Sequence, residues 1–547
     1  MPVRWAVYSR SHFSLPFAML GHSRHNENTE TRSHHRPMHT TATDWFHKNL
    51  SPHSVIGLFA LLQLIIHLPV LHRYGFHADE LYFIACGAHA AFGYVDHPPL
   101  VPWIAHGATT LFGVSIVGLR LAATLAGTGA IVVTGLLVRR LGGGRVAQAI
   151  ACFGMLIAPV FLRATNMLSI AAFEPLFWTL ASYLLVRIIQ EENPRLWLWL
   201  GLVVGIGLLN KHSMFFFVCG MLIGMLATPL RRQLRSPWFY AGGGLALLVF
   251  LPNLIWQFQN GWPTVAFVLR LNKNIMTGIS PLQFLAGQLV YLHPLNALLW
   301  ISGLLWFFLK KDAERYRIFG WMWVTVLLIL ILAKSKIYYF APAYPVLFAG
   351  GALLLERQWH RWQRRWLRGL SIAIALLCGA SFFPLSVPLL PIDTTERYIH
   401  AVSFGAFRNV HELTGDLRDM FGWEERVRTV AGVYASLSEE ERSHTVLWGR
   451  GYGIPGAIDF LGRPYGLPGA VSTTLSYWQW WTPEESVPTV LAVGFDRETV
   501  ERVFQSVVLA EEVPLEKVNP WDTPFRIWIC REPREALADI WRRNRPW

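Results

Sequence analysis

Residues 75–100 read GFHADELYFIACGAHAAFGYVDHPPL. The stretch follows the first long apolar run and carries Asp79, Glu80 and Asp96. Acids are scarce around it: residues 45–390 hold only nine, namely these three with Glu174, Glu191, Glu192, Asp312, Glu314 and Glu356. A polytopic chain that keeps carboxylates beside one membrane surface usually does so for chemistry or transport. The loop, taken as residues 72–116, is therefore where function is sought, and the rest of the chain is read as its scaffold.

The 547 residues are 53% hydrophobic and 14% aromatic, with 25 Trp and only 15% charged side chains. That composition, with a mean hydropathy of +0.33, is that of an integral membrane protein. A formal charge of +13 would suit nucleic acid, but its distribution says otherwise. Residues 391–547 carry 17 Lys and Arg against 23 Asp and Glu, so the excess sits in residues 1–390, mostly in short loops between apolar runs. Such loops set orientation in the bilayer. The five cysteines form no disulfide framework: Cys152, Cys219 and Cys378 fall in apolar segments, and Cys86 and Cys530 show no reason to pair.

Residues 1–50 are polar and rich in His, Ser, Thr and Arg, without an apolar core for a signal peptide, and read as a disordered cytoplasmic tail. Translation could start at Met1 or at Met38. The tail histidines, His12 to His39, are read as solvated rather than as a metal cluster.

Spans need roughly 20 mostly apolar residues, and about eleven runs qualify between residues 54 and 390, within a domain set at 51–390. With the N-terminus inside, the basic loops fall on the cytoplasmic side: Arg139, Arg140 and Arg145; Arg187 and Arg195; Arg231, Arg232 and Arg235; Lys310, Lys311, Arg315 and Arg317; then Arg357 to Arg368. Asp79, Glu80, Asp96 and Glu174 then gather at the outer face. Glu174 lies about two turns inside its span by helical rise, and is expected to face a wet cavity rather than lipid.

Cations share that face: Arg120, Arg163, Lys211, His212, Lys334 and Lys336. Any one could simply snorkel to lipid headgroups. Together with the acids they point to a pocket for an anionic group such as a phosphate. A carboxylate there can serve as general base while cations stabilise a departing phosphate. Asp79, Glu80 and Asp96 are also hard oxygen ligands, so a divalent metal stays open.

Residues 391–547 contain no further span and read as a soluble α/β module, outside the membrane by parity. Strands are expected at Thr429–Tyr434, Thr445–Trp448, Thr489–Val493 and Arg526–Cys530, with helices at Ser438–Ser443, Arg497–Phe504 and Arg534–Arg543. No phosphate-binding loop, HExxH or nucleophile elbow is present, and Gly142-Gly143-Gly144 lacks a following Lys.

The runs HADELYF, GYVDHPPL, LFG and GLRLA, with LLNKHSMFF around Lys211, KSKIYYFAPAYPVLFAGGA from Lys334 and GYGIPGAIDFLGRPYGLPGAVS near the end, resemble the membrane-embedded C-type glycosyltransferases. This superfamily comprises the dolichyl-phosphate-mannose protein mannosyltransferases and their bacterial relatives, among them the aminoarabinose transferases. The resemblance covers nearly everything from residue 50 onward. It implies 11 to 13 spans, a periplasmic α/β domain and an inverting transfer of a sugar from a polyprenyl phosphate to lipid A, another glycolipid or a protein at the bacterial inner membrane. By position Asp79 matches the loop acid thought to act as base, Glu80 its partner, and Lys211 and Lys334 the donor-phosphate contacts. His97 stands where the aminoarabinose transferases have Lys, which makes a fixed cation titratable, and Glu174 where many relatives have Asp. No residue in Gly451–Gly456 carries an evident catalytic role. The alternative, a transporter or flippase of an anionic or lipid-linked substrate, would call for charge near the midplane and repeated halves with broken helices.

Overall fold

The computed structural model describes residues 51–274, 279–361, 364–403, 405, 410–483 and 489–547, so the readings of the N-terminal tail, its histidines and Met38 lie outside the described residues. Among these, six helices are long and apolar enough to cross a membrane: Pro52–Val70, Ile116–Arg140, Ile170–Gln190, Pro237–Gln259, Lys311–Leu332 and Trp366–Ser386. Three bent pairs pass the same test together: Met214–Leu226 with Pro229–Arg235, Pro281–Tyr291 with Asn296–Leu309, and Ile337–Ala343 with Pro345–Arg361. Arg145–Ile157 and Leu196–Asn210 are shorter apolar helices. Every apolar run in the sequence thus falls on a helix or a bent pair. The difference is continuity. The run at 284–309 turns by 115° between Tyr291 and Asn296, where His293 takes φ +77° immediately before Pro294. A residue preceding proline is driven out of the helical region.

The basic loops meet at one end of the helical bundle. Arg140 pairs with Glu191 at 2.8 Å, Gln190 donates to the Arg140 carbonyl and to the Tyr316 hydroxyl, and Arg357 pairs with Asp312.

The opposite loop, 72–116, is mostly helical, with Ala78–Ala88 and Leu100–Phe112. His77 caps the first of these: its Nδ1 accepts the Asp79 N–H at 3.0 Å, and Glu80 reaches back to the His77 N–H at 2.8 Å. Asp79 and Glu80 are therefore neighbours on one turn and point about 100° apart.

Beyond the last span, helices Ile392–Val402, Val410–Arg418 and Trp423–Ser436 lead into a five-stranded sheet. Its strands are β1 Thr445–Gly449, β2 Ala470–Val471, β3 Thr489–Val493, β4 Phe504–Val513 and β5 Phe525–Pro533, in the order β2-β1-β3-β5-β4. β1 runs parallel to β2 and β3, whereas β5 is antiparallel to both β3 and β4. The strand expected at Thr429–Tyr434 is instead part of helix Trp423–Ser436. Its buried residues Trp423, Val427, Val430 and Val433 recur every three or four positions, the helical period, which overrides the β preference of valine.

This sheet domain is fastened to the 72–116 loop. The Gly75 N–H donates to the Met420 carbonyl at 3.0 Å and the Val95 N–H to Ser476 Oγ at 3.0 Å, and the Tyr74 hydroxyl holds the Leu390 carbonyl, just ahead of the domain, at 2.6 Å. Helix Gly453–Leu461 packs on helix Ala78–Ala88 through glycines. A Cβ on Gly453 would stand 3.1 Å from the Ala78 Cβ, and one on Gly456 would stand 2.9 Å from that of Leu81. No larger residue fits without pushing the two helices apart.

Candidate active site

A cavity of about 1200 Å³ opens between the loop, the sheet domain and the bundle. Its polar end is formed by Asp79, Asp96, His97, Lys211, His212 and Lys336, and its length by apolar side chains such as Trp197, Leu200, Val204, Leu208, Phe239 and Phe250. Trp197, Leu200, Val204, Leu208 and Lys211 share one face of the Leu196–Asn210 helix and its cap, so the apolar slot runs roughly 21 Å at 1.5 Å per residue.

Asp79 is the most accessible acid at that end, with its side chain 38% exposed. The Tyr452 hydroxyl donates to its Oδ1 at 2.7 Å. The Asp79 carboxylate and then burial push the Tyr452 phenol well above its ordinary pKa, so it stays a donor. On the other side, His77 Nδ1 lies 3.8 Å from Asp79 Oδ2, and His77 Nε2 lies 3.9 Å from Asp419 Oδ2. Because Nδ1 already accepts a backbone N–H, the ring proton sits on Nε2 and faces Asp419.

Asp96 lies deeper. Burial raises its pKa, offset in part by His97 and by the Tyr82 hydroxyl, which donates to Asp96 Oδ1 at 2.9 Å. His97 is buried among Tyr82, Phe83 and Tyr94, its Nδ1 bonded to the Pro98 carbonyl at 2.9 Å. Its Nε2 stands 3.8 Å from Asp96.

Lys211 lines the cavity with its Nζ 2.9 Å from Glu174 Oε2 and 3.9 Å from the centre of the Tyr339 ring. Glu174 does not face a wet cavity as expected. Its side chain is 5% exposed and sealed behind Lys211, held also by the Ser213 hydroxyl. An acid this far into a span is tolerated because it is fully paired. His212 bonds to Asn253 Oδ1 at 3.3 Å.

Four of the residues singled out from sequence stand elsewhere. Glu80 and Arg120 are both fully buried in a bidentate pair, Nε to Oε1 at 3.0 Å and Nη2 to Oε2 at 2.9 Å. Arg120 donates further to the carbonyls of Leu71, Arg73 and Gly75, and Glu80 accepts the Leu168 N–H. Every donor of this guanidinium is spent on protein, so the geometry is that of a clamp on the loop rather than a phosphate site. Arg163 pairs with Asp416 of the sheet domain. Lys334 is exposed, in a left-handed turn at φ +48°, outside the cavity wall that Lys336 joins. Among the described residues no three His, Cys, Asp or Glu side chains gather as a metal-ligand set, and Glu80, one of the three oxygens considered for that role, is committed to Arg120.

Tyr452, Asp419 and His77 were missed. The glycines of GYGIPGA were the available signal for Tyr452, since they bring its helix against the loop.

The model of the dolichyl-phosphate-mannose-protein mannosyltransferase family matches residues 96–256. An uncharacterized protein of Aquifex aeolicus is 25% identical over 340 residues, 57% of this chain and 66% of that relative's length. Among solved structures, ArnT from Cupriavidus metallidurans bound to undecaprenyl phosphate superposes with a TM-score of 0.59 at 15% identity, covering 87% of this chain and 97% of that one. Its apo state gives the same values. The chain therefore has the fold of ArnT, and over residues 96–256 it matches the pattern of the dolichyl-phosphate-mannose-protein mannosyltransferase family.

Proposed function

We propose that this protein is an inverting glycosyltransferase that moves one sugar from a polyprenyl-phosphate donor to an envelope acceptor, either lipid A, another glycolipid or a protein. The observation that carries the proposal is a half-exposed carboxylate, Asp79, sharing the polar end of a long apolar cavity with Lys211 and Lys336. ArnT bound to undecaprenyl phosphate supplies the precedent for a lipid of this kind in this fold.

The prenyl chain lies along the apolar slot and its phosphate meets Lys211 and Lys336. Asp79, oriented by Tyr452, takes the proton of the acceptor hydroxyl or amine as that group attacks the sugar C1. The C1–O bond to phosphate breaks, the electron pair leaves with the phosphate, and the two ammonium groups stabilise the added negative charge. Asp96 and Tyr82 shape the wall beside the reacting ring. Arginine-rich loops at the far end of the bundle favour an inner-membrane orientation with the catalytic loop and sheet domain in the periplasm.

The three bent helix pairs are a feature shared with transporters. Lys211, however, stands at the end of the Leu196–Asn210 helix, and the lining residues that run back from it along that helix, Leu208, Val204, Leu200 and Trp197, are all apolar.

Purified protein given radiolabelled polyprenyl-phosphate sugars and envelope glycolipids should move label to the acceptor fraction and release polyprenyl phosphate. Asp79→Asn should stop both while remaining folded in the membrane. Undiminished transfer by that variant would refute the assignment.

A further inference from the structure

A second cleft, of about 240 Å³, lies in the sheet domain behind Tyr452. Its walls include Asp419, Trp423, Arg426, Arg450, Trp521 and Asp522, and Tyr452 and Ala78 belong to it as well. Tyr452 also lines the large cavity, so the two spaces share this residue.

The chemistry of the cleft is specific. Its charged wall residues balance, two guanidiniums against two carboxylates, which disfavours a phosphate and suits a neutral, hydroxyl-rich ligand. Arg426 is buried against the Trp423 ring at 4.5 Å, with Asp522 at 3.6 Å, and its Nε has no hydrogen-bond partner. A buried donor left unpaired costs about 1–3 kcal/mol, and a ligand oxygen would relieve it. Trp521 presents a flat indole, 56% exposed, at the edge. Arg450 is exposed, with one nitrogen on the Gly494 carbonyl at 3.3 Å. An aromatic face with paired carboxylates and guanidiniums is a natural seat for a sugar ring: the indole covers the C–H face while the charged groups hold the hydroxyls. The volume falls below the roughly 300–1,000 Å³ of drug-sized pockets, so it fits a single ring.

Resting on the transferase reading above, we infer that this cleft is an acceptor subsite that binds a neutral sugar ring, which makes the acceptor a glycan rather than a polypeptide. The donor phosphate leaves toward Lys211 and Lys336 on the bundle side of Asp79. The cleft adjoins the large cavity at Tyr452, which donates to Asp79, and its Asp419 faces the His77 ring whose other nitrogen faces Asp79. An acceptor ring seated there stands beside Tyr452, whose hydroxyl donates to Asp79.

The test is saturation-transfer NMR on the full chain in nanodiscs with methyl glycosides of glucose, galactose, mannose and N-acetylglucosamine as probes. At least one should bind, weaken at least tenfold in Trp521→Ala and in Arg450→Ala, and persist when undecaprenyl phosphate fills the large cavity. Failure of every glycoside to bind would overturn the inference. So would binding untouched by both substitutions, displacement by undecaprenyl phosphate, or displacement by inorganic phosphate. Asp79→Asn separates the two claims: glycoside binding in that variant reports on the cleft alone, whereas its transfer assay reports on the catalytic reading alone.

Discussion

Replacing Arg120 with alanine should unfold the loop rather than merely slow the reaction. The wild-type guanidinium makes two bonds to Glu80 and three to the carbonyls of Leu71, Arg73 and Gly75, all with both side chains fully buried. Removing one partner of such a pair costs about 3–5 kcal/mol because the other charge is left buried and unpaired. The three carbonyls lose their donor as well, so the lower bound of about 3 kcal/mol is conservative, and it corresponds to roughly a hundredfold in the folded population. Glu80→Gln should do comparable damage for the converse reason. The double variant Glu80→Leu/Arg120→Met should lose less than the worse single change, since no lone charge remains. Denaturant titration of purified variants followed by far-UV circular dichroism reads the effect, with transfer scored per folded molecule. If Arg120→Ala stayed within about 0.5 kcal/mol of wild type, the range of an ordinary surface change, while donor binding vanished, the clamp account would be wrong. The phosphate role anticipated for Arg120 would then return.

Tyr452→Phe removes one hydrogen bond to Asp79 and little else, so turnover should fall about tenfold, near the 1.4 kcal/mol value of one bond, with unchanged thermal stability. Lys336→Ala should raise the donor KM without destabilising the exposed site, whereas Lys211→Met should do both, because Glu174 then stands buried and unpaired. Both are read by kinetics beside thermal unfolding. For Asp96, burial raises the folded-state pKa, so its favourable contribution is present below the ordinary aspartate range and lost as pH rises through the folded value. Asp96→Asn should therefore melt higher than wild type near pH 7 and gain nothing in strong acid, by thermal scans at the two pH values.

Hydropathy made the membrane architecture legible because each span must satisfy its own backbone in lipid. What it could not register was the break at His293-Pro294, where a continuous apolar run conceals a 115° turn. Within the site, Asp79 and Asp96 were visible as scarce acids in the outer loop, Lys211 and His212 from their place in a short turn between spans, and all four line the cavity. Glu80 was grouped with Asp79 because they are adjacent, yet a helix turns them apart, one toward the cavity and one into the Arg120 clamp. Tyr452 and Asp419 come from more than 300 residues along the chain, and only the docking of the sheet domain on the loop brings them to Asp79. Glycines that permit that docking were in plain view. Their meaning depended on knowing which helix they would face.

The most direct test of the central claim is mass spectrometry of lipid A, other envelope glycolipids and periplasmic glycoproteins from a deletion strain, its parent and an Asp79→Asn complemented strain. The account predicts that one defined sugar mass disappears from a single acceptor class in both the deletion and the Asp79→Asn strain, and returns with the wild-type chain. Restoration of that mass by Asp79→Asn, or an envelope unchanged by deletion, would contradict it.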